Sequence, residues 1–201
     1  MPMEDNAQTA DIPFAGERDI PLTVVAWGDS IGNFVGINLK RIFSEVVNLG
    51  RNGAGLKNAF PPAPLDSIPQ GAAVIMSIGT NDVVPLMQQP DNAVNAYADE
   101  VIGIARQIRD KGATPVLLGL QAPAGPFTLG PSYWRDSGFV EKWSAEMDRV
   151  NEALKRAAGK AGIAFSPVAG RVKEHTKDNL HYTALGSRRI ARNALKDAGL
   201  K

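Results

Sequence analysis

Val24-Val25-Ala26-Trp27-Gly28-Asp29-Ser30-Ile31-Gly32 is the stretch that decides how this chain is read. Its first four residues are an apolar run suited to a short strand, and the run stops at Gly28. From Ile31 onward the apolar residues Phe34, Ile37, Leu39, Ile42 and Phe43 take a spacing that suits a helix through about Phe43. Ser30 therefore falls where a strand hands over to a helix. In open parallel α/β sheets ligands bind at that junction, the carboxyl end of a strand. The backbone N–H groups of a first helical turn also act there as anion-binding donors. Gly-Asp-Ser is equally good turn chemistry, with Asp29 or Ser30 as a simple helix N-cap. The rest of the chain has to weigh one reading against the other.

Working outward, strands are predicted at about 22–27, 45–49, 72–77, 114–120 and 163–166. Helices are predicted from Asp91 to Lys111, closed by Gly112, from Phe139 to Ala158, and from about Thr183 onward. Between the second and third strands, Gly50-Arg51-Asn52-Gly53-Ala54-Gly55 reads as a glycine-rich loop. The prolines at 61, 62, 64 and 69 then forbid a regular element until Gly71. Residues 121–138 form an excursion rich in proline, glycine and aromatics, too long for a tight connection and of the kind that serves as a functional lid or stays disordered. Strand and helix alternate almost throughout, which predicts a five-stranded parallel sheet covered by helices on both faces. The ends of strands one and three, the glycine loop and the loop after strand five then share one edge. Residues 1–20 are polar with scattered proline and are expected to be an extended arm; residues 21–201 are expected to form a single domain.

Composition narrows the function classes. With 22 basic and 21 acidic side chains in 201 residues the net charge is +1, so no global field steers the protein to nucleic acid or to an anionic membrane. The absence of cysteine removes disulfides, thiol catalysis and thiolate-bound metal. No stretch has the length of a membrane span, and the acidic start lacks the base and apolar core of a signal peptide. The expectation is a cytoplasmic protein without nucleic-acid or membrane partners.

A serine hydroxyl becomes a useful nucleophile once a neighbouring base takes its proton, and histidine is the natural base. The chain has two histidines, His175 and His181. His181 closes Asp178-Asn179-Leu180-His181, ahead of the last helix, so the topology brings it to the edge that holds Ser30. Asp178 is near enough along a turn to hydrogen-bond the other imidazole nitrogen and fix its tautomer. The blander alternative is a polar loop with an incidental histidine. Acyl transfer also needs donors for the oxyanion, and three are available: the Ser30 N–H, the Gly53 N–H in the loop after strand two, and the Asn81 side-chain amide just past strand three. Gly53 and Asn81 also suit plain turn chemistry.

These segments together resemble the SGNH hydrolases, also called GDSL esterases and lipases. The blocks are Gly28-Asp29-Ser30-Ile31, with isoleucine in the usual leucine place, Asn48-Leu49-Gly50-Arg51-Asn52-Gly53, Gly79-Thr80-Asn81-Asp82 and Asp178-Asn179-Leu180-His181. They occur in family order over residues 22–186. The resemblance implies a three-layer α/β/α flavodoxin-like fold. It also implies Ser30 as nucleophile, His181 as base, Asp178 as its orienter, and Ser30, Gly53 and Asn81 as the oxyanion hole. The expected activity is ester hydrolysis through an acyl-enzyme, without cofactor or metal, on a small ester or an acylated saccharide. Short acyl groups such as acetyl are favoured, with Phe127, Tyr133, Trp134 and Arg135 as candidate substrate contacts. The alternatives are a lysophospholipase or thioesterase of the same fold, or a binding module that keeps the fold without turnover.

Other motifs fit less well. The glycine loop has the spacing of a phosphate loop, but Leu56-Lys57 stands where Lys-Ser or Lys-Thr is required. The Gly-x-Ser-x-Gly elbow of α/β-hydrolases is missing. His175, Asp178 and His181 have a spacing that could suit a metal, yet no further clear ligand accompanies them.

Overall fold

The computed structural model describes residues 22–40, 42–59, 65–125, 136–168 and 179–200. The expected arm at 1–20 lies outside them. Five strands are present, β1 (Val24–Gly28), β2 (Val46–Gly50), β3 (Ala73–Ser77), β4 (Thr114–Leu118) and β5 (Ala164–Ser166). All their pairings are parallel, and their spatial order is β2-β1-β3-β4-β5. The chain leaves β1 toward one side of the sheet and returns as β3 on the other. The end of β1 is therefore the point where the winding reverses, the place at which such sheets open a crevice.

Each strand of the sheet centre is buried on both faces, as the uninterrupted apolar runs of β1 and β3 require. Val25, Trp27, Val74, Met76 and Leu117 point into one apolar cluster, and Val24, Ala26, Ala73, Ile75, Val116 and Leu118 into the other. The first is covered by α4 (Asp91–Asp110) and α5 (Ser137–Ala161), which present Val94, Val101, Ile108, Met147, Val150 and Leu154 at helical spacing. The second is covered by α1 (Ser30–Leu39) and α6 (Ala184–Asp197) through Val35, Leu39, Ile190, Ala194 and Leu195. The result is the expected three-layer α/β/α arrangement.

Two single-turn helices, α2 (Leu56–Ala59) and α3 (Val83–Leu86), were not expected. Pro85 is compatible with α3 because it falls in a first turn, where a backbone N–H has no intrahelical partner to lose. Helix α1 ends four residues before the expected Phe43. The Ile42 and Phe43 N–H groups donate to Leu39 O at 2.8 and 3.0 Å, so this stretch is a turn whose Phe43 still packs into the core. Helix α5 starts two residues before the expected Phe139, because the Asp136 carboxylate accepts the Phe139 N–H at 2.9 Å as its N-cap. It runs past Ala158 to a left-handed Gly162.

Candidate active site

The register of the sheet assembles the site. Gly28, the last residue of β1, lies opposite Gly50 on β2 and Ser77 on β3, so the three strands finish level. The ladder continues one step beyond them: the Asp29 N–H donates to Ser77 O at 2.8 Å, and the Arg51 N–H to Gly28 O at 2.9 Å. The strands are so close here that a β-carbon on Gly28 would stand 1.6 Å from Ser77 O, and Gly28 also has φ +139°. Only glycine satisfies both demands. The segments carrying Ser30, Gly53 and Asn81 all leave from this edge.

Ser30 is the first residue of α1 and is almost wholly buried. Asp29 is the N-cap, its carboxylate accepting the Ile31 N–H at 2.9 Å. That carboxylate has no exposed surface and also accepts the Ser77 hydroxyl at 3.1 Å. Burial pushes the Asp29 carboxyl up to about 6, although hydrogen bonds from Thr80, Ser77, Ile31 and Gly32 pull the other way.

The loop holding Gly53 is fixed from several sides. Gly53 is exposed, with φ +72° and open space where a side chain would be. Just before it, Asn52 accepts from the Asn33 side-chain amide of α1 at 2.9 Å. Asn33 in turn accepts from Asn48 at 2.9 Å, and Asn48 accepts the Gly50 N–H at 3.0 Å. Just after it, Ala54 O accepts from the Asn81 side-chain amide at 2.9 Å. Asn81 thus contacts the Gly53 loop directly, from its place past the end of β3.

His181 stands just ahead of α6. Its neighbour Tyr182 is sunk into the α1–α6 cluster, and Thr183 caps α6 by accepting the Gly186 N–H at 3.2 Å. The His181 ring stacks on Phe34 of α1, with centroids 4.6 Å apart and planes at 21°. Phe34 is one helical turn beyond Ser30, on the same face of α1. Asn179, in the left-handed region at φ +63°, accepts the Ala124 N–H at 2.8 Å and ties this loop to the segment after β4.

Ser30, Gly53, Asn81 and His181 are therefore all referred to α1 or to the level ends of β1, β2 and β3. Asp178, His175, Phe127, Tyr133, Trp134 and Arg135 lie outside the described residues. Among the described residues no group of three or more His, Asp or Glu side chains could hold a metal ion. A groove of about 520 Å³ lies beside the ends of β4 and β5, lined by Gly119, Leu120, Asn151, Phe165 and Val168 among others. It includes none of the four residues above.

Sequence reasoning gave no role to Asn33, Asp82 or Tyr97. Asp82 accepts the Leu56 N–H with both oxygens and the Tyr97 hydroxyl with one, so it holds the far end of the Gly53 loop. Its position beside Asn81 was the available signal.

The sequence matches the GDSL-like Lipase/Acylhydrolase family over residues 22–189. Comparison with curated proteins gives no match. Among solved structures, a protein from Slackia heliotrinireducens described as an SGNH hydrolase aligns with TM-score 0.59 at 21% identity, over 88% of this chain and 98% of that one. The acetylxylan esterase Axe2 from Geobacillus stearothermophilus aligns with TM-score 0.59 at 16% identity, over 92% and 97%. The acetyl xylan esterase AlAXEase aligns with TM-score 0.60 at 13% identity, over 87% and 98%.

Proposed function

The chain belongs to the GDSL-like lipase/acylhydrolase family and is a carboxylic ester hydrolase, and from that premise we propose a two-step acyl transfer through Ser30 on short-acyl esters, O-acetylated saccharides foremost. Residues 21–201 are taken as its one domain. In the first step the Ser30 hydroxyl oxygen attacks the ester carbonyl carbon while His181 accepts the hydroxyl proton. The carbonyl oxygen gains negative charge and receives hydrogen bonds from the Ser30 N–H, the Gly53 N–H and the Asn81 side-chain amide. Each such donor is worth about a hundred- to a thousandfold in rate. Collapse of the tetrahedral intermediate breaks the bond to the alcohol oxygen, which leaves with the proton from His181. Water then attacks the acyl-enzyme, giving a proton to His181, and the carboxylic acid is released as His181 passes that proton to the Ser30 oxygen. Asp178 has the part of holding the His181 ring in the right tautomer.

The observation that supports this reading is the common level at which β1, β2 and β3 end, since the segments holding Ser30, Gly53 and Asn81 leave from that one edge. The preference for acetyl is supported by the acetylxylan esterases that share the fold and by a surface of nearly zero net charge with no pull toward anionic lipid. Phe127, Tyr133, Trp134 and Arg135 are proposed as contacts to the saccharide, aromatic faces being well suited to sugar rings.

The test is a p-nitrophenyl ester series from acetate to decanoate, run on the wild type and on Ser30→Ala. The expected result is fastest turnover of acetate and loss of at least about a thousandfold in Ser30→Ala. Preference for decanoate would reassign the substrate to lipid or acyl thioester. Wild-type rates equal to the buffer blank, with no labelling by a fluorophosphonate, would leave a binding module.

A further inference from the structure

We propose that Asp82 is a positioning residue for the oxyanion hole, holding the Gly53 N–H in place by gripping the backbone immediately after it. This rests on the acyl-transfer reading above and adds a residue to it. Both Asp82 carboxylate oxygens lie 3.0 Å from Leu56 N. A third hydrogen bond comes from the Tyr97 hydroxyl of α4, at 3.3 Å. Between Gly53 and Leu56 the chain passes against the carboxylate so closely that a β-carbon on Gly55 would meet Asp82 Oδ1 at 2.7 Å. Asn81 holds Ala54 O at 2.9 Å. Two consecutive side chains at the end of β3 thus fix the three residues that follow Gly53. Asp82 is itself anchored, its N–H donating to Gly79 O at 2.9 Å.

A carboxylate is the appropriate group for this task. It accepts hydrogen bonds only, and a charge-assisted bond to a backbone N–H is about twice as strong as a neutral one. Burial raises the Asp82 carboxyl above its ordinary range, while the hydrogen bonds from the Leu56 N–H and the Tyr97 hydroxyl pull the other way. Burial also raises Tyr97 well above the usual tyrosine range, so its hydroxyl remains a donor to Asp82. Oxyanion donors act at about 2.7–3.1 Å, and a displacement of about 1 Å costs about a hundredfold in rate. Gly53 has no side chain of its own, so the restraint on its N–H comes from its flanks, Asn52 held by Asn33 on one side and the Asp82 grip on the other.

The experiment compares Asp82→Ala, Asp82→Asn and Tyr97→Phe with the wild type, counting functional sites by fluorophosphonate titration. The substrate is p-nitrophenyl acetate and the second readout is inhibition by an alkylboronic acid, whose tetrahedral adduct on Ser30 sets an oxygen where the oxyanion forms. Asp82→Ala is expected to lower kcat per site about ten- to a hundredfold with KM within about twofold, and to weaken boronate inhibition by the same factor. Asp82→Asn, which still accepts the Leu56 N–H through one oxygen, should retain more activity than Asp82→Ala. Tyr97→Phe should stay within about threefold of wild type, since the grip on Leu56 is untouched. Wild-type kcat per site in both Asp82 variants, or a kcat loss without weaker boronate binding, would overturn the proposal. A Ser30→Ala variant that turns over normally would overturn the acyl-transfer reading beneath it.

Discussion

Asp29 is a carboxylate with no exposed surface, next to Ser30, and its burial disfavours the charged form. Its carboxyl is raised to about 6 in the folded protein from an ordinary 3.8. Between these two values the folded chain holds a proton that the unfolded chain has released. Stability contributed by this residue is therefore greatest below pH 4, falls as pH rises through 6, and levels off above that. Keeping the ionised group at neutral pH costs about 3 kcal/mol. Asparagine can still accept from Ile31 and Ser77 without a charge to bury. Asp29→Asn should therefore be more stable than wild type by up to about 3 kcal/mol at neutral pH, with the advantage fading as the pH approaches the unfolded carboxyl value. Urea unfolding across that range checks this, and parallel pH curves for the two proteins would contradict it. At this scale the sequence singles out Ser30, Gly53, Asn81 and His181 because each sits beside glycine or turn chemistry, and their roles remain the proposal made above. It assigned no site role to Asn33, Tyr97 or Asp82, although Asp82 closes the third block, because their meaning comes from partners such as Leu56, 26 residues from Asp82, and Asn48, 15 from Asn33.

The elements show which glycines the architecture needs. Gly28 ends β1 against the backbone of β3, whereas Gly103, in the middle of α4, has open space where a side chain would go. Gly28→Ala should lose about 3 kcal/mol or more, from strain at positive φ together with overpacking against Ser77. Gly103→Ala should gain about 1 kcal/mol by restricting the unfolded chain and favouring helix. Denaturant unfolding of the pair gives both signs, and a destabilising Gly103→Ala would show that α4 is packed differently there. Helix and strand identities were legible because their apolar periods differ, and their ends less so. The α1 pattern continues through Ile42 and Phe43 although the helix does not, since a turn can bury the same side chains. The short α2 was hidden by the prolines that follow it, and α3 by Pro85, which a first turn tolerates.

For the whole molecule, alternation of strand and helix predicted a parallel sheet with two covered faces, and that is what forms. The lateral strand order has no local signature; it follows from which faces the helices cover. Once β1 lies between β2 and β3, all three finish level at one edge, and three of the four signature blocks follow strands that end there. The fourth is tied in through the stacking of His181 on Phe34. No helix among the described residues is long and apolar enough to cross a membrane. The central claim is that this convergence makes Ser30 the atom that carries the acyl group. It is tested most directly by rapid acid quench during p-nitrophenyl acetate turnover, followed by peptide mass spectrometry. The account predicts one added acetyl group on the peptide containing Ser30, missing from Ser30→Ala; sustained turnover with Ser30 unmodified, or acetyl carried by another residue in its place, would contradict it.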